Sequence, residues 1–460
     1  MPTIAFHGAA RTVTGSRHLL TLGDHRVLVD CGLFQGPREL RERNWEPFPV
    51  DPASIDAIVL THAHTDHIGY LPRVVAQGFA GQVFATHGTA GISRISLPDS
   101  ARLQEEEARY HNKNRTSRHS PALPLYTERD AFEALRRMRP LKYGQWQDLP
   151  GRAKLRFLPA GHILGSAFAE IYFEDGRRIL MTGDLGRKNT PIIRDPEAVD
   201  FAEFLAIEST YGDRLHGDQN PQQEIERILN QAYRDGSCVL VPSFAIGRTQ
   251  ELLYHLSVLQ HQGRIPRIPL FVDSPMATSA TVLYDHTRED HDVDMKDFSL
   301  DGKSALHPDH LEFVRDKSQS KALNARQGPM VIISGSGMCS GGRILHHLKQ
   351  RLDDPTTVLL FTGYQGAGTL GREILDGAES VEIHRAEIPV RARIERLTSL
   401  SAHADQAEII EWLANFKSPP KRTFLVHGEP GPQEALRDRI VERYGWDVAI
   451  PEYRQAFDLG

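Results

Sequence analysis

Three histidines and one aspartate fall within six consecutive positions, His62, His64, Asp66 and His67, in the run Thr61-His62-Ala63-His64-Thr65-Asp66-His67. Imidazole nitrogen and carboxylate oxygen are the donors that zinc takes, at roughly 2.0–2.2 Å. A tight loop of this kind can serve two ions, with His62 and His64 turned to one and Asp66 and His67 to the other. A merely structural reading, a polar loop of capping residues, accounts for a Thr or Asp before a helix but not for three imidazoles. Four single residues fit the same pattern. Asp30 ends Val27-Leu28-Val29, and His162 sits in Ala160-Gly161-His162-Ile163-Leu164-Gly165-Ser166. Asp184 ends Ile179-Leu180-Met181-Thr182-Gly183, and His427 ends Phe424-Leu425-Val426. Taken singly, each reads as a turn residue. Together, all four close an apolar run or follow one beside glycine, where loops can converge.

The elements that must position these residues are legible from periodicity. Ser16–Leu22 and Arg26–Asp30 flank Gly23-Asp24, a hairpin signal. Asp56–Thr61, Gln82–Thr86, Lys154–Leu158, Ala167–Glu174, Arg178–Thr182 and Glu203–Ile207 read as further strands, and Ile68–Gln77 as a helix. Past residue 210 the pattern changes to alternation. Helices over Pro221–Arg234, Thr249–Gln262, Asp309–Asn324 and Arg343–Leu352 take turns with strands Cys238–Val241, Leu270–Val272, Met330–Ile333 and Thr357–Phe361. That order predicts a parallel sheet flanked by helices. The polar stretch from Asp285 to His310 reads as a surface loop. After about residue 378 the first pattern returns, with strand Val390–Arg396, helix Gln406–Phe416 and strand Thr423–Val426. The expected organisation is therefore a split domain, 1–209 and 378–460, interrupted by an inserted domain over 210–377.

Three loops of the insertion are rich in glycine: Pro242–Arg248, Ser334–Arg343 and Gly363–Arg372. Each joins a strand to a helix and has an arginine nearby, which suits a phosphate seat built from backbone N–H groups. Ser243, Arg248, Ser336, Gly337, Arg343, Gly363 and Arg372 are the expected RNA or phosphate contacts. The glycine spacing is not that of a dinucleotide fold. The pairs His346-His347, His307/His310 and His286/His291 read as solvated.

The order Asp30, His62-x-His64-x-Asp66-His67, His162, Asp184 resembles the metallo-β-lactamase superfamily. The resemblance implies an α/β fold, a four-layer αββα sandwich with metals at one edge. It implies that His62, His64 and His162 hold a first zinc and that Asp66, His67 and His427 hold a second. Asp184 would bridge them, and Asp30 would orient a ligating histidine. Three later pieces resemble the β-CASP branch of nucleases: Ala206-Ile207-Glu208-Ser209-Thr210-Tyr211-Gly212, Ser399-Leu400-Ser401-Ala402-His403-Ala404-Asp405 and Leu425-Val426-His427-Gly428-Glu429. The parallel-sheet insertion is what that family carries. A histidine at position 427 is typical of its RNA-acting members, whereas the DNA-repair members usually carry valine. The pattern is similar to the endonuclease subunit of the cleavage-and-polyadenylation machinery and its prokaryotic relatives. The short stretch after His427 lacks the C-terminal domain usual in the RNase J group, and no KH domains precede the first motif.

What the resemblance implies is a zinc-dependent ribonuclease with two Zn²⁺ per chain, cutting single-stranded RNA internally through a metal-bridging hydroxide. Asp66 and Asp184 would serve catalysis as ligands, His403 as general acid and Glu208 as its partner. A DNA nuclease on the same scaffold and a 5′-3′ exoribonuclease of RNase J type are the alternatives. A small-molecule esterase and a metal-free RNA-binding protein fit the insertion and the intact ligand set less well. The net charge of −6 argues against a general polyanion coat but leaves room for a local cleft. No apolar run is long enough to span a membrane, and no signal peptide is evident. Cys31, Cys238 and Cys339 lie in or beside apolar runs, which points to a reducing cytosol. A homodimer is admitted but not established by the sequence.

Overall fold

Gly23-Asp24 turns the chain back, so that His18–Leu22 and His25–Val29 pair antiparallel with His18 opposite Val29. In this computed structural model, which describes residues 1–460 apart from 218, 301–303, 364, 367 and 398, that hairpin is the middle of a seven-stranded sheet. Its order is Ala456–Asp458, Thr3–Phe6, His18–Leu22, His25–Val29, Ala57–Val59, Gln82–Thr86 and Met138–Leu141. A second seven-stranded sheet runs Val448–Ala449, Arg422–Val426, Phe204–Glu208, Arg178–Met181, Ala167–Tyr172, Ala153–Pro159 and Gln147–Leu149. Alternate residues of both sheets meet in one core. Phe6, Leu20, Val27 and Val59 from the first pack with Leu155, Phe157, Ile179 and Phe424 from the second. The outer face of the second sheet, through Phe168, Leu205 and Leu425, is covered by Trp412 and Leu413 of helix Gln406–Leu413 and by Leu436 and Ile440 of helix Pro430–Tyr444. Helix His87–Asn114 packs on Gln82–Thr86 and Met138–Leu141 of the first sheet. This is the expected αββα order.

Parallel pairing decides where loops emerge. His25–Val29 and Ala57–Val59 are parallel neighbours, so Asp30 and Thr61 leave the sheet side by side. In the other sheet Arg178–Met181, Phe204–Glu208 and Arg422–Val426 are parallel neighbours, with Glu208 opposite Val426. Their carboxyl ends therefore bring Asp184, Glu208 and His427 to one edge.

Contacts divide the chain into 1–215 with 403–460, and 216–402. The second unit is a six-stranded sheet in the order Leu311–Phe313, Leu270–Asp273, Met330–Ser334, Cys238–Pro242, Val358–Phe361 and Arg393–Arg396. Every pair in it is parallel. Three expectations need correction. The return to the first unit comes at 403 and not near 378, because Arg393–Arg396 joins the inserted sheet beside Val358–Phe361. Its alternation identified a strand but could not say which sheet it would join. The helix expected over Asp309–Asn324 is a short strand, Leu311–Phe313, followed by helix Lys317–Ala325 that Asp316 caps. The stretch read as a loop from Asp285 to His310 contains helix Val293–Leu300, while 301–303 fall outside the described residues.

A buried histidine gives the inserted unit a pH dependence. His255, on helix Arg248–His261, is 5% exposed, and neither ring nitrogen has a hydrogen-bond partner. Burial, and after it the Arg248 charge, push it down to about 4. Its folded pKa thus lies below the unfolded 6.5, so the unfolded chain binds the extra proton as pH falls through that window. Stability is lost from about pH 6.5 downward, and His255 contributes no further loss below about 4. Between pH 6.5 and 5 this share is roughly 2 kcal/mol. Denaturant unfolding of the full chain at both pH values should show His255→Phe losing correspondingly less stability than the parent. Equal losses would show that the ring is not a proton sink of the unfolded state.

Candidate metal centre

The loop that carries His62 to His67 is bonded on both flanks. Ser16 N donates to Asp66 O, Cys31 N to His67 O and Leu33 N to Thr65 O, at 2.7–3.0 Å. Gly32 is required here, because a Cβ would come 1.6 Å from Asp66 O. Asp30 anchors the assembly from beneath. It accepts hydrogen bonds from Thr61 N and Thr61 Oγ1, both at 2.8 Å, and lies 2.8 Å from His67 Nδ1. That last contact leaves His67 Nε2 for a cation, the usual arrangement behind a metal-ligating histidine. His162 is fixed by Ser166, whose Oγ accepts from the backbone N–H of His162 and Ile163. His427 N donates to Ala9 O, and Thr210 Oγ1 lies 3.1 Å from His427 Nδ1, which leaves Nε2 facing Asp66.

Two sets of donor atoms result: His62, His64, His162 and Asp184, and Asp66, His67 and His427. In the first, His62 Nε2 and His162 Nε2 each stand 3.1 Å from His64 Nδ1 and 3.3 Å from Asp184 Oδ2. In the second, His427 Nε2 is 3.1 Å from Asp66 Oδ2, and His67 Nε2 is 3.2 Å from Asp184 Oδ1. A tetrahedron of metal–nitrogen bonds near 2.0–2.1 Å has edges of about 3.3–3.4 Å. Imidazole nitrogens aimed at one another at this distance need something positive between them. Asp184 Oδ1, buried and without a hydrogen-bond donor, faces the second set. The residues therefore fit a metal cation.

Electrostatics agree. Burial pushes His62 and His162 down, and His64 to about 3, keeping the rings in the neutral form that ligates. Burial acts downward on His67 and His427 as well, but Asp184 with Asp30 or Asp66 raises both. The field that would protonate those rings also attracts a metal.

Glu208, fully buried, reaches the rim of the same cluster. Its Oε1 accepts from Leu185 N at 2.7 Å and lies 3.0 Å from His403 Nδ1. His403 is one-fifth exposed, and its Nε2 is 3.9 Å from Asp184 Oδ2. Burial works against the charge on His403, but Glu208, and after it Asp184 and Asp66, raise it to about 9.

Three family models cover the chain in order. The Metallo-beta-lactamase superfamily domain matches residues 19–188, the Beta-Casp domain 249–374, and the Zn-dependent metallo-hydrolase RNA specificity domain 387–451. Ribonuclease TTHA0252 of Thermus thermophilus is 41% identical over 450 residues, 97% of each chain. This chain belongs to the β-CASP family of metallo-β-lactamase-fold RNA nucleases. Among further relatives of this β-CASP chain, an RNase J-like protein of Methanocaldococcus jannaschii is 31% identical over 439 residues, 93% of each chain. Transcription termination factor FttA of the same organism is 28% identical over 460 residues, 97% of this chain and 70% of that one. A protein of unknown function from Enterococcus faecalis V583 shares the fold, with a TM-score of 0.57 and 14% identity over 99% of each chain.

The β-CASP insertion places the expected phosphate contacts less uniformly. Ser334–Arg343 and Pro242–Arg248 do follow parallel strands, and Gly363 follows a third; Tyr364 and Ala367 of that loop lie outside the described residues. Ser243 is buried, with its Oγ bonded to Phe244 O and Thr249 Oγ1. Arg248 pairs with Glu251, and Arg372, more exposed, with Asp376. Ser336 Oγ closes its own loop by accepting from Ser340 N and Gly341 N. Arg343 donates to Asp273 Oδ1 at 2.6 Å and to the carbonyls of Val314 and Arg315. His347, expected to be solvated, is fully buried, with Nε2 2.8 Å from Asp273 Oδ2 and Nδ1 2.7 Å from Asn324 Oδ1. His291 is likewise buried, with Nε2 2.6 Å from Tyr284 O. The sequence reading missed Asp273, and also Arg17. The buried Arg17 guanidinium donates to Gly32 O and Asn44 Oδ1 and lies 3.8 Å from the Tyr70 ring centroid, bracing the ligand loop. Tyr211, in the Glu208 motif, stands edge-on to the His403 ring at 5.9 Å. Asp273 closes the apolar run Leu270-Phe271-Val272, the same signal that marked Asp30, whereas Arg17, between Ser16 and His18, carries no such signal.

Asp30 offers the sharpest test of this architecture. Asp30→Asn keeps the size but removes the negative charge and, if the remaining oxygen stays on Thr61 N, puts an amide NH2 where Oδ2 faces His67 Nδ1. Metal affinity should fall about 10- to 100-fold by competition with a chromophoric chelator, while the circular dichroism spectrum is retained. Parent-like affinity would mean that the His67 ring is set without Asp30.

Proposed function

We propose that this β-CASP nuclease is a zinc-dependent ribonuclease that cuts single-stranded RNA internally, with two Zn²⁺ held by the two donor sets. The observation that carries the reading is the contact between His403 and Glu208 at the rim of those sets. It orients an imidazole, with a carboxylate behind it that favours the charged form, where a leaving group would need a proton. Two likenesses support RNA as the polymer: 41% identity over 450 residues to a ribonuclease, and the match of residues 387–451 to an RNA specificity domain.

Bound zinc would make water a nucleophile at neutral pH and offset charge on the phosphoryl oxygens. The chain's own residues do the rest. His62, His64 and His162 would hold one ion and Asp66, His67 and His427 the other, and Asp184 lies within reach of both sets. Glu208 accepts the Nδ1–H of His403 and keeps Nε2 protonated and turned inward. His403 gives that proton to the 3′ oxygen as the P–O3′ bond breaks, leaving a 3′-hydroxyl and a 5′-phosphate. No helix among the described residues is long and apolar enough to cross a membrane. The three cysteines are free and buried, which supports the cytoplasm as the working compartment. Likeness to the RNase J-like protein favours a second reading, 5′ exonucleolytic trimming.

The purified chain should hold about two zinc ions, lose activity to a strong chelator and regain it with zinc. His403→Ala should keep the metal and lose about 10²- to 10⁴-fold in RNA cleavage. The loss should shrink on a nitrophenyl phosphodiester, whose leaving group needs no proton. Glu208→Ala should follow more mildly, and the double variant should be little worse than His403→Ala. Release of zinc by His403→Ala, or normal cleavage, would remove it from the role of acid. A circular RNA, having no end, separates the two modes: linearisation means internal cutting, and an intact circle means trimming.

A further inference from the structure

The central strand of the inserted sheet, Cys238–Pro242, lies between Met330–Ser334 and Val358–Phe361, and all three are parallel. The loops leaving their carboxyl ends therefore emerge together, at the edge where open α/β sheets take ligands. On the middle loop stands Phe244, 40% exposed. Its backbone is pinned, with Phe244 O accepting from Thr249 N at 3.3 Å and Thr249 Oγ1 at 2.7 Å. Its ring lies against the other two loops. A Cβ on Gly337 would come 2.7 Å from Phe244 Cδ2, and one on Gly363 would stand 3.6 Å from Phe244 Cε2. Gln365, buried, ties these two loops by donating to Gly337 O at 2.9 Å. Glycine at 337 is thus what makes room for the ring. A phenyl ring held firmly while two-fifths of the residue stays exposed fills no core. It also carries no hydrogen-bonding group with which to hold a phosphate.

We propose that Phe244 is a stacking platform for an unpaired base of the RNA substrate. This rests on the ribonuclease reading and assigns part of substrate recognition to an aromatic face, where the phosphate-seat reading of the same loops had looked to arginine and serine. Every base offers a π-face, so such a platform grips single strands without reading sequence. A base locked in a duplex cannot reach it in the same way.

The test compares an unstructured RNA oligonucleotide with one of equal length carrying abasic sites, on the zinc-loaded full chain. Phe244→Leu keeps apolar bulk but removes the π-face. It should raise KM for the intact RNA about 5- to 100-fold, with kcat much less affected. It should also narrow the gap in affinity between intact and abasic strands. Phe244→Trp should restore both. Gly337→Ala, which displaces the ring without altering it, should act in the same direction as Phe244→Leu. Parent-like KM in Phe244→Leu, or equal weakening on intact and abasic strands, would overturn the platform while leaving the nuclease reading intact. A parent enzyme that hydrolyses a nitrophenyl phosphodiester but no RNA would overturn both.

Discussion

Six histidine rings come within 4.0 Å of the Asp184 carboxylate: His62, His64, His67, His162, His403 and His427. A buried negative charge among that many imidazoles is costly unless a cation or protons balance it. Both sheets contribute to this one point. The first sends the loop after Ala57–Val59, and the second sends the ends of Arg178–Met181, Phe204–Glu208 and Arg422–Val426. The backbone bonds, the glycine at 32 and the carboxylate of Asp30 all hold the donor atoms close against their mutual repulsion. The sandwich can be read as the frame that makes this crowding tolerable.

Much of this was legible in residue order, and the reason differs from part to part. His62 to His67 announce themselves because the ligands are neighbours in the chain. Asp30, His162, Asp184 and His427 are isolated, and only their place at the ends of apolar strands marks them. Glu208 and His403 are 195 residues apart, so no local pattern joins them. They were paired through resemblance to known motifs. Arg343 shows the opposite case. A glycine-rich turn followed by arginine looks like a phosphate seat from sequence, yet Asp273, 70 residues upstream at the end of strand Leu270–Asp273, takes the guanidinium.

The inserted unit has a charged interior of its own. Asp273 is fully buried and held low, burial being outweighed by His347, Ser320 and Arg343. The cluster joins the end of one strand to helices Lys317–Ala325 and Ile344–Arg351. Removing one partner of such a pair leaves the other as an uncompensated charge, which destabilises more than the pair itself stabilises. A loss of RNA binding on truncating Arg343 would therefore report the integrity of the fold before it reported contact with a phosphate.

The parallel pairing of Phe204–Glu208 with Arg422–Val426 has a consequence for synthesis on the ribosome. A nascent chain that has emerged only to residue 402 already carries His62, His64, His162 and Asp184. It still lacks His403 and His427, and Phe204–Glu208 is left as an open sheet edge, a template for wrong partners. The correct neighbour arrives only after the whole inserted unit has been translated, a long-range closure that is slow by its topology. The donor cluster is thus completed only once His427 has been made, and until then the growing polypeptide carries an unfinished site.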